Sequence, residues 1–290
     1  MISVIVISTF YFFFVGLLTF GWLKLKSYKK NNNKNNNSSK TSIIIAFRNE
    51  EKNLPFIVED IANQNYPKNY FEVIFVNDHS EDNSVKILEE LIKEKNNFRI
   101  LELNNYKGKK QALKHGINNS TGDLIVTTDA DCRMQKKWLS TICNYYSSID
   151  AKMIVCPVLY TTKKPLLSFG NFQALEFLSL TASTIGSIGI NKPLMCNGAN
   201  LAFEKKTFQK FSNPTKEEIP SGDDTFLLFN INKKYHRKVK YLKNKHAIVT
   251  TKPAKNLSVF FNQRIRWASK TKYYKQFFVL FSGFVTITIY

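Results

Sequence analysis

The chain is 290 residues long, 43% of its residues are hydrophobic, and its formal net charge is +20. This length and composition suffice for one large folded domain with a substantial core, and they exclude a disordered tail. A positive charge is compatible with nucleic-acid binding, but Lys supplies most of it, and the chain contains no basic helix with base-reading residues and no nucleic-acid-binding motif. We therefore predict no nucleic-acid partner. The positive charge instead suits a protein that lies against an anionic membrane surface and binds a negatively charged nucleotide.

The cysteines show neither a C-x-x-C pair nor the spacing of a zinc finger. This pattern predicts free thiols in a reducing compartment rather than a disulfide framework. The four residues are Cys132, Cys143, Cys156 and Cys196.

The first segment, residues 1–23, is predicted to be a transmembrane anchor. Ile2 to Leu23 carries no charged side chain, and at about 1.5 Å per residue it can cross a hydrocarbon core of about 30 Å. A cleaved signal peptide would carry its basic residues before the apolar run. The positive-inside rule places the N-terminus outside and the rest of the chain in the cytosol at the cell membrane, because the basic residues follow the run, at Lys24, Lys26, Lys29 and Lys30.

Two further segments flank the central part of the chain. Residues 24–40 are rich in Asn and Lys and have nothing to bury, which predicts a flexible linker. Residues 277–290 are apolar and uncharged but too short to span a bilayer comfortably. They are predicted to lie in the membrane interface or to form part of a membrane helix, and the sequence leaves both open.

Between these segments, short apolar runs alternate with charged amphipathic stretches. Strand–helix–strand repetition of this kind predicts an α/β domain with a mostly parallel sheet and flanking helices. We place this domain at residues 41–250. The predicted strands are Ser42–Phe47, Phe71–Val76, Phe98–Leu103 and Leu124–Thr128, and the predicted helices are Asn53–Gln64, Asp82–Lys95 and Lys109–Asn118.

Acidic residues follow three of these strands. Glu50, Asp78 and the pair Asp129 and Asp131 each come just after a strand, and ligands bind beyond the carboxyl ends of strands in an open parallel sheet. Two carboxylates in a D-x-D pattern can share magnesium or manganese with substrate phosphates. Asp78 is placed to accept hydrogen bonds from a base or ribose, with a turn or helix cap as the alternative.

Two further charged motifs lie at predicted helix starts. Lys109 follows a glycine where a phosphate can sit beside a helix N-terminus, although a solvated surface lysine is the alternative. Asp223 and Asp224 are adjacent, and like charges raise the pKa of one carboxyl, which favours a general base. A helix N-terminus has the opposite effect, so the sequence leaves the net shift open, and simple helix capping remains an alternative.

The last motif is Gln263-Arg264-Ile265-Arg266-Trp267. On a helix, Gln263, Arg266 and Trp267 share one face, where they can bind hydroxyls, phosphate and the apolar face of a sugar. The surrounding residues 251–276 are predicted to form an amphipathic helix at the membrane surface. A surface helix with no binding role is the alternative.

Taken together, these motifs resemble the family 2 inverting glycosyltransferases of GT-A-type, Rossmann-like fold. The resemblance covers about residues 41–275 and is greatest to the membrane-bound branch with cellulose, chitin, hyaluronan and poly-N-acetylglucosamine synthases. It rests on the order of the motifs, which are Ala46 to Glu51, Val76 to Asp78, Gly108-Lys109, Asp129-Ala130-Asp131, Gly222-Asp223-Asp224 and Gln263-x-x-Arg266-Trp267.

The resemblance implies a metal-dependent hexosyltransferase that uses a nucleoside-diphosphate sugar, with uridine as the expected base, and a glycan or lipid-linked acceptor. It implies a nucleotide-binding half, 41–132, an acceptor half, 133–250, and Asp224 as the catalytic base. In the nucleotide half, Ala46, Glu50 and Asp78 border the nucleotide, Lys109 lies near uridine or phosphate, Asp129 contacts the diphosphate sugar, and Asp131 holds magnesium or manganese. On the acceptor side, Asp223, Gln263, Arg266 and Trp267 bind acceptor and diphosphate, and Cys196–Asn200 lines the acceptor cavity.

The chain departs from the family pattern at two points. Asp223 stands where the family usually has Glu, which shortens the first acid but keeps the presumed base. Polymer-exporting relatives carry several membrane helices after the Trp motif, whereas this chain has one partial candidate, so we expect no complete translocation channel from this chain alone. The addition of one or a few sugars to a lipid, a membrane partner subunit, and a truncated synthase all remain open.

Another class of protein remains as an alternative. A catalytically inactive, membrane-tethered protein that binds a nucleotide sugar or a polyanion would retain the same fold. The intact acids Asp129, Asp131 and Asp224 argue against it.

Overall fold

The computed structural model of the protein describes residues 2–29, 39–162, 165, 167–219 and 221–287. Within these ranges the chain forms ten helices and ten strands. The helices are α1 (Ile2–Lys24), α2 (Leu54–Ala62), α3 (Ser84–Ile92), α4 (Lys109–Asn118), α5 (Trp138–Ser148), α6 (Phe169–Gly189), α7 (Lys205–Gln209), α8 (Asp223–Lys234), α9 (Leu257–Ala268) and α10 (Phe277–Ile287). The strands are β1 (Thr41–Phe47), β2 (Phe71–Asn77), β3 (Phe98–Glu102), β4 (Leu124–Thr127), β5 (Arg133–Met134), β6 (Met153–Val155), β7 (Val158–Tyr160), β8 (Leu201–Glu204), β9 (Val239–Tyr241) and β10 (Val249–Thr251).

A seven-stranded sheet with the order β3-β2-β1-β4-β8-β6-β9 forms the centre of the molecule. Its first four strands are parallel, as the alternating pattern predicted. The sequence did not predict β8, which runs antiparallel between β4 and β6. The predicted α/β class with a mostly parallel sheet and flanking helices is confirmed.

Both faces of this sheet are covered by apolar side chains. Ile43 and Ile45 of β1 face a cluster that includes Trp138, and Ile44 between them faces a second cluster that includes Leu113. All three isoleucines are fully buried. Full burial of one such side chain contributes about 1.5–3 kcal/mol, so this strand, apolar on both faces, fixes the centre of the fold.

A small second sheet, with the order β5-β10-β7, lies beside the main one. β5 begins two residues after Asp131 and pairs antiparallel with β10, where Arg133 lies opposite Thr250. Arg133 also forms a two-point ion pair with Asp60 of α2, at 2.7 and 2.8 Å. These contacts fix the loop that follows β4.

The C-terminal motif helix is shorter than expected. Residues 251–276 were predicted to form one helix, but Thr251 belongs to β10 and α9 begins only at Leu257. Pro253 precedes it, and the Asn256 side chain accepts a hydrogen bond from the Val259 N–H at 2.9 Å. This cap fixes the start of the helix.

The N-terminal helix α1 packs against α6 and α10. Among the described residues it is the one helix long and apolar enough to cross a membrane, over Ile7–Lys24. Much of its surface is exposed and aromatic, as at Phe12 and Phe13, whereas Phe14 contacts Phe278 of α10 with ring centroids 6.0 Å apart. The helix is therefore a candidate membrane anchor with one face against protein.

Glycines allow α1 and α6 to cross closely. A Cβ atom on Gly21 would lie 2.0 Å from the carbonyl oxygen of Gly186, and one on Gly186 would lie 2.3 Å from the carbonyl oxygen of Leu18. Both contacts are with backbone atoms, which cannot move aside as a side chain can. Small residues at helix crossings of this kind are typical of membrane-helix packing.

The predicted linker, 24–40, is described at residues 24–29 and 39–40. Within it, the Tyr28 N–H donates to the Lys243 carbonyl at 2.9 Å, and the Tyr28 ring lies edge-on to Tyr145 with centroids 4.9 Å apart. Residues 30–38 lie outside the described residues, as do residues 288–290 of the predicted C-terminal apolar segment.

The Gly21 crossing gives a test of this packing. We expect Gly21→Leu to lower the Tm of the detergent-purified protein by roughly 2–10 °C, because overpacking costs about 1–3 kcal/mol. Gly16→Leu is the matched control, since a Cβ at Gly16 of the same helix meets no atom within 4 Å. Equal melting temperatures for the two variants would contradict the crossing.

Candidate active site

Asp78 lies at the end of β2 and connects it to the start of α4. Its backbone N–H donates to the Phe47 carbonyl at 2.9 Å, and its Oδ1 accepts the Gly108 N–H at 2.9 Å. Gly108 has a φ of 104°, a conformation that strains other residues. Asp78 does not cap the helix that follows it, because α3 begins six residues later, at Ser84.

Lys109, the next residue, links α4 to the loop after β4. Its Nζ donates to Asp129 Oδ1. Burial by itself lowers the pKa of Lys109, but the negative charges of Asp129, Asp223 and Asp224 outweigh burial and raise the pKa above its ordinary value. Lys109 therefore lies within the field of both acidic pairs predicted from the sequence.

Glu50 and Asp131 lie on neighbouring loops of the same sheet edge. The Glu50 Oε2 accepts a hydrogen bond from Asn53 at 2.6 Å, and burial followed by the charges of Asp131 and Asp129 raises the pKa of Glu50. Asp131 Oδ2 accepts a hydrogen bond from the Thr251 hydroxyl at 2.9 Å. The ends of β1 and β4 thus bring their carboxylates into one acidic region. Ala46 of β1, half-buried, lies in register with Val76 of β2 beside it.

The donor set of Asp129 and Asp131 fits a hard divalent cation. The described residues contain no group of three or more His, Cys, Asp or Glu arranged to hold a metal. Magnesium and related ions, however, commonly bind through one or two protein carboxylates while substrate phosphates and waters complete the shell. Two carboxylates one residue apart are sufficient for that mode.

Asp223 and Asp224 occupy the first turn of α8. Gly222 before them has a φ of 86°, and Lys270 packs against it. Asp224 Oδ2 accepts the Gly198 N–H at 3.0 Å, and its Oδ1 accepts the Thr225 N–H at 2.6 Å. Lys270 Nζ lies 3.7 Å from Asp224 Oδ1. The Asp224 carboxylate is therefore held in one orientation from several sides.

The sequence left open whether the pKa in this acidic pair is raised or lowered. Burial and then the charge of Asp224 raise the pKa of Asp223, and the nearby Lys109 only partly offsets these two effects. Burial and like-charge repulsion therefore dominate over the helix N-terminus at this position. The neighbouring Asp224 supplies the like charge.

The turn 197–200 lies against Asp224 and is rigidly held. The fully buried Asn200 accepts from the Trp138 indole N–H at 3.0 Å and donates to the carbonyls of Pro157 and Ala247 at 2.7 and 2.8 Å. The Thr127 hydroxyl donates to the Gly198 carbonyl at 2.8 Å. Sequence reasoning missed Thr127, and its place at the end of β4 was the signal available.

The C-terminal motif residues divide between two environments. Gln263 and Trp267 are half-buried toward α6 and β7, where Tyr160 donates to Gln263 at 3.5 Å and Trp267 packs 6.2 Å from Phe177. Arg266 is exposed, and its carbonyl accepts from the Ser221 hydroxyl at 3.4 Å. The end of α9 therefore lies beside the loop that leads to Asp223.

Arg264, inside the same motif, has a structural role. It forms a two-point ion pair with Glu176 of α6 and stacks over Trp267, 4.2 Å from the ring centre. Its Nη1 also donates to Gln263 at 2.6 Å. Arg264 therefore orients both half-buried motif residues.

Comparisons with known proteins place the chain in a class of sugar-transferring enzymes. The model of the family described as Glycosyl transferase family 2 matches residues 42–209, which is more than half of the chain. The chain therefore belongs to glycosyl transferase family 2.

Individual relatives share less than 40% of their residues with the chain and match only part of it. The chain is 39% identical over 92 residues, 31% of its length, to "Undecaprenyl-phosphate 4-deoxy-4-formamido-L-arabinose transferase" of Proteus mirabilis, and 27% identical over 240 residues, 80% of its length, to "Probable glycosyltransferase YdaM" of Bacillus subtilis. The matches span 28% and 55% of these relatives.

A solved structure shares the fold. The mannosyltransferase PcManGT of Pyrobaculum calidifontis, in complex with GDP-Man and Mn2+, superposes with a TM-score of 0.68 at 17% identity, covering 91% of this chain and 71% of that one. The GT-A-like fold is thereby confirmed.

The raised pKa of Asp223 predicts a pH-dependent cost in stability. Because the folded protein holds this proton more tightly than the unfolded chain, stability falls as pH rises from the unfolded pKa of about 3.9 to the higher folded pKa. We expect Asp223→Asn to raise the Tm at pH 7, with the gain vanishing below about pH 3.

Glu204→Gln provides a control of opposite sign for the same thermal scans. Burial favours a raised pKa for Glu204, but its hydrogen bonds, first that from Lys152, prevail and lower it. The Glu204 substitution should therefore lower the Tm at pH 7. An Asp223→Asn protein that melts lower than wild type at pH 7 would contradict the like-charge assignment.

Proposed function

We propose that the protein is an inverting, metal-dependent glycosyltransferase that moves a hexose from a nucleoside-diphosphate sugar to a glycan or lipid-linked acceptor at the cytosolic membrane face. One observation carries the proposal. Lys109 pairs with Asp129, at the strand ends, and lies in the field of Asp223 and Asp224, at the start of α8. A diphosphate sugar bound at this sheet edge would have its leaving group on one side and its acceptor on the other.

The strand-end side would bind the donor. Ala46, Glu50 and Asp78 would border the nucleotide, and we expect uridine as its base. Asp131, together with Asp129, would hold magnesium or manganese. A bound divalent cation stabilises the charge that develops on the leaving diphosphate.

Lys109 would serve the same donor. Its raised pKa keeps the ammonium charged, and it lies at the N-terminus of α4, where backbone N–H groups also favour phosphate. When the diphosphate enters, the lysine can exchange its contact with Asp129 for one with a phosphate oxygen. Lys109 would then contact a negatively charged group both before and after the diphosphate binds.

The α8 side would activate the acceptor. Asp224 would take the proton of the acceptor hydroxyl as the hydroxyl oxygen attacks the anomeric carbon opposite the diphosphate, which inverts the configuration there. Its hydrogen bonds from Gly198 and Thr225 hold the carboxylate in one orientation, and a fixed geometry is what a general base needs. Asp223, with Gln263, Arg266 and Trp267, would bind acceptor and diphosphate.

A lipid-linked acceptor fits the exposed apolar surface. α1 is a candidate anchor, and exposed side chains of α6 and α9 add to it. One of the relatives is named for undecaprenyl phosphate. These exposed residues are Phe172, Leu175, Leu178, Leu257, Phe261 and Ile265.

The assignment of the base can be tested by two variants. We expect Asp224→Asn to abolish sugar transfer, a loss of at least about 100-fold, while nucleotide and metal binding stay near wild type, because the amide cannot accept the proton. Asp223→Asn should retain more activity. Transfer rates and nucleotide Kd values would be measured on the same preparations, and the reverse ranking would assign the base to Asp223.

The metal assignment predicts a different pattern. Asp131→Ala should weaken manganese-dependent binding of the nucleoside diphosphate, measured by calorimetry with and without the cation. Asp123→Asn is the matched control, because Asp123 is exposed and lies at the opposite end of β4. Undiminished manganese-dependent affinity in Asp131→Ala would remove Asp131 from the metal site.

A donor screen tests the function as a whole. Purified full-length protein would be incubated with a panel of sugar nucleotides and a divalent cation, and released diphosphate would be measured. We expect metal-dependent release with at least one donor. Nucleotide binding without release from any donor, with or without lipid acceptors, would favour the inactive binding protein instead.

A further inference from the structure

Lys110, next to Lys109 on the first turn of α4, is directed away from the donor side. Its Nζ donates to the backbone carbonyls of Thr215, Lys216 and Ile219, at 2.8, 2.9 and 2.6 Å. An ammonium group has three protons, so these three bonds satisfy it completely. All three carbonyls belong to the segment that leads into Asp223.

Lys110 is unusually buried for a lysine. Only 8% of its surface is exposed, and lysines are rarely buried unless they are paired with an acid. Within the described residues no carboxylate forms an ion pair with it; its other close neighbour is the Phe226 ring, whose centroid lies 5.3 Å from Nζ. Burial lowers the pKa of Lys110. The nearby charges of Asp223, Glu218 and Asp224 also favour the ammonium form. The three backbone carbonyls supply all of its hydrogen bonds, and they converge on it only in this conformation of the segment.

Two neighbours on α4 hold the same segment from its solvent side. Gln111 Nε2 and Lys114 Nζ donate to the two oxygens of Glu217, at 3.1 and 2.6 Å. Lys216, between the contacts, has a φ of 52°, which is an uncommon conformation for a residue with a side chain. A strained residue persists only where its surroundings determine it.

This arrangement connects the two sides of the site through one helix. α4 directs Lys109 to Asp129 and Lys110 to the segment before Asp223. Asp223 is the fourth residue after Ile219, so fixing the Ile219 carbonyl restricts where α8 can begin. A displacement of about 1 Å between reacting groups can cost about 100-fold in rate.

We infer that Lys110 is a positioning residue that sets the distance between Asp223–Asp224 and the donor-side carboxylates by binding the three carbonyls of residues 215–219. The expected effect on kcat rests on the proposed function. The structural part of the inference, that the Lys110 ammonium group holds residues 215–219 in place, does not depend on the proposed function. In this role Lys110 acts through the position of Asp223 and Asp224 and not on the substrate itself.

The test uses Lys110→Met, which keeps the apolar stem and removes the ammonium group. We expect kcat to fall by about 100-fold while the Kd for nucleotide with manganese stays at its wild-type value. Amide hydrogen exchange in residues 213–224 should become faster by about tenfold or more. Lys114→Met is the matched control, because it loses a more exposed contact to the same segment, and both readouts should change little in it.

Several results would overturn the inference. These are wild-type kcat in folded Lys110→Met, unchanged exchange in residues 213–224, or a loss in nucleotide affinity equal to the loss in kcat. If Lys110→Met does not fold, Lys110→Arg decides, because a planar guanidinium cannot aim three protons from one atom at three carbonyls. Wild-type kcat and exchange in that variant would reject the inference.

The same experiment separates this inference from the proposed function. If the wild-type protein transfers no sugar from any donor, the proposed function fails, and the exchange rates alone then decide the role of Lys110. If transfer is present and the exchange rates do not change, the proposed function stands and the positioning role is rejected.

Discussion

A single ammonium group between two sets of carboxylates is the interaction on which the site depends. Asp129, Asp223 and Asp224 would repel one another, and Lys109 supplies opposing charge to all three, while Lys270 adds a second ammonium group 3.7 Å from Asp224. Lys109 can reach them only because α4 lies tightly on the sheet. Gly116 makes this possible, since a Cβ there would lie 2.6 Å from a methyl group of Ile44. Close packing at one end of α4 thus places the charge at the other.

The helix α6 contacts both the candidate anchor α1 and the motif helix α9. It crosses α1 through Gly186, it binds Arg264 of α9 through Glu176, and Phe177 packs against Trp267. The candidate anchor and the motif helix therefore share one rigid support rather than separate tethers. For an enzyme whose acceptor is a lipid, such a support would hold the acceptor-binding residues at a fixed depth relative to the bilayer.

Much of the fold could be predicted because local signals agreed with the tertiary arrangement. The strand around Ile44 is apolar on both faces, and only a buried parallel strand fits that pattern. The antiparallel β8 was missed because its four residues resemble any short apolar run, and its direction depends on the long connection through α6. The motif helix was predicted too long because the stop at Pro253 and the Asn256 cap were not used in the prediction. The sequence also suggested one common face for Gln263, Arg266 and Trp267, but Arg266 is exposed while the other two are half-buried.

The amino-acid sequence by itself determined the class of fold, the candidate anchor and the presence of acids after the strands of the sheet. Each of these depends on residue type and spacing, and the carboxyl ends of parallel strands must share an edge. Only the tertiary structure decided that burial and a neighbouring charge raise the pKa of Asp223, that Gly198 orients Asp224, and that Lys110 holds the segment before α8. Those properties arise from burial and from contacts between residues up to about a hundred positions apart, such as Lys110 and Thr215. A local sequence pattern cannot predict contacts between residues so far apart in the chain.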